Sequence, residues 1–148
     1  MLPEPRLAFF SLKEPIHRDV KDWLSTIETP FFSLIRTDAI KTKLQVNIAY
    51  ASAMKDAGDG SRIRKPESIF MMMMSDEDQI RTAIISCGVS AETRRICAVY
   101  DNRDHLRNFI SRFGDKVTET FEEIPEDDPS RDREIFSKMT YTRMRIRA

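Results

Sequence analysis

Apolar residues recur along this chain at alternating strand-like and helix-like spacings. Arg6 to Leu12, with Leu7, Phe9, Phe10 and Leu12, predicts a strand. From His17 to Glu28 the spacing changes. Val20, Trp23, Leu24 and Ile27 fall at i, i+3, i+4 and i+7, one face of a helix. Thr29-Pro30 is expected to stop it, because a residue before proline avoids the helical region. Phe31 to Arg36 then predicts a short strand. A helix over Ala39 to Ala57 follows, with Asp38 as expected N-cap. Its stripe is Ile40, Leu44, Ile48 and Ala51, widened by Val46, Ala49, Tyr50 and Ala53. Gly58-Asp59-Gly60 is its expected stop.

Ser61 to Lys65 is a basic loop, and Pro66 suits the first turn of a helix carrying Ile69, Phe70 and Met71 to Met74. Ser75-Asp76-Glu77-Asp78 has the form of a capping box. It predicts a helix running to Cys87, with Ile80, Ala83, Ile84 and Cys87 on one face and Gly88 as its end. Ile96 to Tyr100 is apolar throughout, as in a central strand covered on both faces. Asp101 or Asn102 caps a helix with Leu106, Phe109, Ile110 and Phe113 inward, closed by Gly114. Lys116 to Phe121 is short and half polar, an edge strand, and Glu122 to Pro129 is an exposed acidic loop. Ser130 to Arg147 closes the pattern as a helix with Ile135, Met139, Thr142 and Ile146 in one stripe, which would ordinarily pack on this domain's own sheet. Phe136 and Met144 form a second apolar edge, which an outward-facing protein interface would use. The order predicts one α+β domain over residues 1–148, a small mixed sheet with helices around it.

Composition narrows the function classes. The chain has 148 residues, 24 Lys plus Arg against 24 Asp plus Glu, and a net charge of zero. A protein holding nucleic acid by bulk charge is therefore not expected, and any anion contact must be local. The longest strongly apolar run, Ile69 to Met74, is far short of the ~20 residues of a membrane span. The opening Met1-Leu2-Pro3-Glu4-Pro5 is short and proline-broken, so no secretory leader is expected. A cytoplasmic protein fits. Charge is nevertheless sorted along the chain. Acids gather from Glu119 to Glu134, and basic residues at Arg62 to Lys65 and Lys138 to Arg147.

The residues for catalysis are sparse. Gly58, Gly60, Gly88 and Gly114 form no phosphate or dinucleotide loop. His17 and His105 are scattered, and Cys87 and Cys97 have no zinc spacing. A Cys87–His105 nucleophile pair is conceivable, but both cysteines fall on apolar faces, where buried structural thiols belong. The acidic loop lacks the glycine and ligand spacing of a calcium loop. No catalytic residue, metal or cofactor is expected. The Met71 to Met74 run fits core filling or an adaptable binding surface equally well. Arg62, Arg64 and Lys65 form a compact cation cluster that fits a solvated loop on spacing alone and phosphate contact as the functional reading, and Arg103 and Arg107, one turn apart, allow the same two readings.

Ser75, Gln79-Ile80, Ala83 and Gly88-Val89 are spaced similarly to the corresponding residues of the small kinase-binding subunit of the KEOPS complex. Leu44 to Ala53, with Ala49 and Ala53, also resembles that family. The likeness covers roughly Phe31 to Tyr100, and the ends by element order. Arg36-Thr37-Asp38 stands where the family commonly has Asn-Ala, and Ile69, Phe70 and the methionines stand where it commonly has Glu-Ile-Leu-Leu. The resemblance implies an α/β fold and a non-catalytic regulatory subunit. Its partner would be a small atypical kinase that acts as an ATPase in making threonylcarbamoyladenosine on tRNA. Archaeal members of the family bind the tRNA 3′ end. Ile135, Met139, Thr142 and Ile146 become the expected kinase contacts, and Arg62, Arg64 and Lys65 the expected RNA contacts. A small cysteine-dependent enzyme and a standalone RNA-binding domain are the alternatives.

Overall fold

The structure, a computed structural model, describes residues 4–27, 31–58, 63 and 65–147. The expected helix end at Glu28, the Thr29-Pro30 stop, and Asp59, Gly60, Ser61, Arg62 and Arg64 lie outside the described residues. The fold is α+β, as the alternating spacings predict. Its contacts divide into two compact units. A sheet unit comprises Arg6–Thr37 and Gly88–Glu122, and a helical unit comprises Met1–Pro5, Asp38–Cys87 and Glu123–Ala148.

The sheet unit holds four strands: β1 (Arg6–Leu12), β2 (Phe32–Arg36), β3 (Arg95–Tyr100) and β4 (Val117–Thr120). Their order is β2-β3-β1-β4, and all three pairings are antiparallel. The expected mixed sheet is corrected on this point. The register pairs Phe10 with Ile96 and Ala8 with Ala98, while Leu34 also meets Ala98 and Phe32 meets Tyr100. Side chains alternate across a strand. These residues therefore share one face, and Val117 joins them in a core with Val20, Phe109 and Phe113. The last three lie on α1 (His17–Leu24) and α5 (Arg103–Phe113). Trp23 stands edge-on to Phe32 at 5.4 Å and to Phe113 at 5.8 Å, and Phe10 lies 5.3 Å from Phe109. Residues of the other face, Ile35, Cys97 and Val99, are buried too, so β3 is apolar on both sides as its sequence predicts.

α1 ends four residues before its predicted limit. The Ser25 and Thr26 hydroxyls donate back to the Asp22 and Trp23 carbonyls at 2.6 and 2.7 Å. The N–H groups of Thr26 and Ile27 then tighten onto Trp23 and Leu24, three residues back. Such local bonds compete with helix continuation. Asn102, rather than Asp101, caps α5, its Oδ1 accepting from the Asp104 N–H at 2.8 Å.

The helical unit holds α2 (Lys43–Asp56), α3 (Pro66–Ser75), α4 (Ile80–Cys87) and α6 (Pro129–Arg147). Asp38 does not cap α2, because Thr37–Ala39 closes a separate 3-10 turn. The cap is Thr42, whose Oγ1 accepts from the Gln45 N–H at 3.3 Å. The buried face of α2 is Val46, Ala49, Tyr50 and Ala53, while Leu44 and Ile48 are half-buried. Gln45 is also buried, and it is satisfied. Its carboxamide accepts from the Lys41 N–H at 2.7 Å and donates to the Met74 carbonyl at 3.2 Å, joining α2 to the end of α3. Met72, Met73 and Met74 are buried and Met71 half-buried, so most of the methionine run is core.

The expected capping box is also corrected. Ser75 is the last residue of α3, and its hydroxyl donates to the Met71 carbonyl at 2.9 Å. Asp76 follows in the left-handed conformation, φ 57°, and the Glu77 N–H closes on the Met72 carbonyl. Aspartate tolerates that region better than most residues. α4 therefore starts only at Ile80, and Ala83 and Cys87 alone are buried on it. Ile80, Ile84 and Ile85 are exposed.

Candidate functional site

α6 carries the chemistry that the sequence assigned to a partner. Ile135, Met139, Thr142 and Ile146 form its stripe, but they are 7%, 1%, 1% and 4% exposed. The stripe faces the core of its own unit, where α6 packs on α2 and α3. This corrects their expected role as kinase contacts. A stripe at i, i+4, i+7 and i+11 is the side a helix turns toward its own core. Thr142 is accommodated there because its hydroxyl donates to the Lys138 carbonyl at 2.9 Å and lies 3.4 Å from an Asp76 carboxylate oxygen.

The opposite side of α6 is open. Phe136, Tyr141 and Met144 are 54%, 62% and 66% exposed. At 100° per residue, Phe136 and Met144 lie 80° apart and Tyr141 lies 60° beyond Met144. Two aromatic rings and a thioether thus share one flank of about two turns.

Two arginines of α6 hold that flank in place. Arg143 Nε and Nη2 donate to the two Asp56 carboxylate oxygens at 2.6 and 2.9 Å, a bidentate pair at the C-terminal end of α2. The Arg143 bonds hold the Asp56 carboxyl below its ordinary range, and the guanidinium is raised in turn. Arg145 lies over the Tyr141 ring at 4.9 Å, donates to the Asp76 carbonyl at 3.2 Å, and approaches Asp78 at 3.7 Å. Burial pushes the Asp76 carboxyl up, against the opposing pull of Lys41, Lys138 and Arg145.

Asp78 also borders an open cleft of about 410 Å³ between the N-terminal parts of α3 and α4. Ile63, Lys65, Ser68, Met72, Gln79 and Ile80 complete its wall. Of the three expected RNA contacts, Lys65 is exposed on this rim, while Arg62 and Arg64 lie outside the described residues. Arg107 is paired at the surface with Asp104 at 3.5 Å. The sequence pattern missed the two arginine clamps. In the sequence Arg143 and Arg145 read only as part of the basic run Lys138 to Arg147, and their partners lie 87 and 69 residues away.

Cys87 and Cys97 are buried and not joined in a disulfide, and burial pushes the Cys97 thiol up to about 12, a neutral and unreactive state. The Cys87 thiol lies 3.3 Å from the Ala83 carbonyl within its own helix. The His105 ring stacks edge-on to Phe32 at 6.3 Å. Among the described residues, no group of three His, Cys, Asp or Glu could hold a metal, and no helix is long and apolar enough to cross a membrane. No protein-family model and no curated protein matches the chain.

Proposed function

We propose that this chain is a non-catalytic, cytoplasmic regulatory subunit of the KEOPS assembly. In this reading it binds the small atypical kinase of that assembly and assists threonylcarbamoyladenosine formation on tRNA. The observation that carries the reading is the exposed flank of α6. Phe136, Tyr141 and Met144 are open to solvent on a helix whose other side is fixed by Ile135, Met139, Thr142, Ile146 and the Arg143–Asp56 clamp. A rigid helix presenting aromatic and thioether groups suits a protein groove, where such residues supply most of the binding energy. The spacing resemblance around Ser75 to Val89 selects the kinase as the partner. Kinase docking thus moves to the outer flank of α6, and Lys65, with Arg62 and Arg64, keeps the supporting role of tRNA contact.

The test is capture of the purified kinase by the immobilised chain. The double variant Phe136→Asp, Met144→Asp is expected to retain the melting temperature and lower capture at least tenfold. Wild-type protein that retains no kinase overturns the reading. In the assembled complex, charge reversal at Arg62, Arg64 and Lys65 is expected to weaken tRNA binding, and unchanged binding removes that patch.

A further inference from the structure

β4 forms one edge of the sheet, and its free side has a readable polarity. Leu12 opposes Val117, Ser11 opposes Thr118, Phe10 opposes Glu119 and Phe9 opposes Thr120. One residue beyond, the Lys13 N–H donates to the Lys116 carbonyl at 2.8 Å, whereas the Leu12 N–H turns the other way, to the Arg94 carbonyl. In an antiparallel ladder, hydrogen-bonded and non-bonded pairs alternate. Thr118 and Thr120 therefore bond to β1, while the N–H and C=O of Val117 and Glu119 point to the open edge. Among the described residues no strand lies on that side.

Two further features lie along this edge. Phe121, directly after β4, is 89% exposed, more than any other large apolar residue described. From Val117 to Ser130 the chain has six acidic residues and no Lys or Arg. The preceding cation, Lys116, is already shared by Asp19 at 3.3 Å and Glu14 at 3.8 Å. Glu122 is taken by Arg95 at 2.7 Å, which leaves Glu119 exposed on β4 itself, with Glu123 exposed two residues after Phe121 in the sequence. Pairing of two copies edge to edge would bring a Glu119 carboxylate from each onto neighbouring strands, which like charges oppose. A basic strand meets the opposite condition.

We propose that the open edge of β4 takes an extended basic segment of a partner protein as a fifth strand. Val117 and Glu119 supply the main-chain hydrogen bonds, the acidic side chains select Lys or Arg, and Phe121 covers an apolar side chain of the segment. This goes beyond the kinase reading and does not depend on it, because β4 and α6 lie in different units.

The test uses the intact chain and a labelled ten-residue peptide of alternating Lys and Val, followed by fluorescence anisotropy. Glu119→Pro removes the edge-facing N–H without touching the bonds of Thr118 and Thr120 to β1. It is expected to weaken binding at least tenfold, and Glu119→Gln, which keeps the N–H, several-fold. An alternating Glu and Val peptide is expected to bind at least tenfold more weakly than the Lys and Val peptide. A Lys and Val peptide N-methylated at every second residue keeps its charge but cannot pair, and decides the matter should Glu119→Pro disturb folding. Equal binding of the N-methylated or the acidic peptide overturns the proposal. So does a wild-type dimer in light scattering that Glu119→Pro dissolves.

Discussion

Asp56 and Asp76 show how one residue type, in one unit, is used in opposite senses. Asp56 is charged and clamped by Arg143, whose side chain is 30% exposed. Two charge-assisted bonds in a partly screened position are worth about 1–3 kcal/mol together, less than a fully buried pair. Arg143→Ala is expected to lower unfolding free energy by about that amount in urea titrations. The pH dependence follows from the lowered Asp56 value. Its contribution is complete above the ordinary carboxylate range and is lost as pH falls through the lowered value. Asp76 acts the other way. Burial raises its carboxyl, so protonation favours the folded chain, and the charge costs stability as pH rises through the raised value. Unfolding titrations from pH 7 down to pH 2 are expected to flatten in Asp56→Asn at the acid end. Asp76→Asn keeps an acceptor for Thr142 and a residue tolerant of the left-handed turn. It is expected to match or exceed wild-type stability at pH 7, and a clear loss there contradicts this account of its burial.

Elements depend on which local signal prevails. Thr42 illustrates the point, because Asp38 has the better capping chemistry by sequence and lies four residues earlier. The 3-10 turn at Thr37–Ala39 takes Asp38 out of position, and the buried Thr42 becomes the cap. Thr42→Ala is expected to cost about 1 kcal/mol of unfolding free energy and Thr42→Ser little. A neutral Thr42→Ala returns the start of α2 to Asp38. The same contest decided the Ser75 motif. Its serine and acids fit a helix start, yet the hydroxyl bonds backward to Met71 and ends α3 instead. Long periodic runs had no such rival, and β1, β2, β3, α3, α5 and α6 were legible nearly to their limits. The direction of the α6 stripe was legible as well, but its meaning was not. Periodicity marks a face that seeks cover without saying whether that cover is this chain or another. Phe136 and Met144 were visible as the leftover edge, whereas Tyr141 joins them only once the helix is formed, exposed beside Met144 and with Arg145 over its ring.

At the scale of the whole molecule, the chain crosses between its two units after residues 5, 37, 87 and 122. Neither unit is a continuous stretch. The sheet unit closes only when β3 returns to β1 and β2 after the fifty residues Asp38–Cys87, and α6 reaches α2 only after the chain has traversed β3, α5 and β4. A loop that long costs closure entropy if it stays disordered, and ordering it within the other unit removes the expense. Two units interleaved in this way are expected to unfold in one transition, although each has a core of its own. The single tryptophan makes this measurable. Trp23 reports the aromatic core of the sheet unit, and helix ellipticity reports mainly the helical unit. Met72 is buried in α3, so Met72→Ala is expected to cost about 2–5 kcal/mol in the helical unit. If the units fold together, the Trp23 fluorescence midpoint in urea shifts by the same amount as the ellipticity midpoint. A shifted ellipticity midpoint beside an unmoved Trp23 midpoint separates the chain into two domains, and the single-domain expectation then fails.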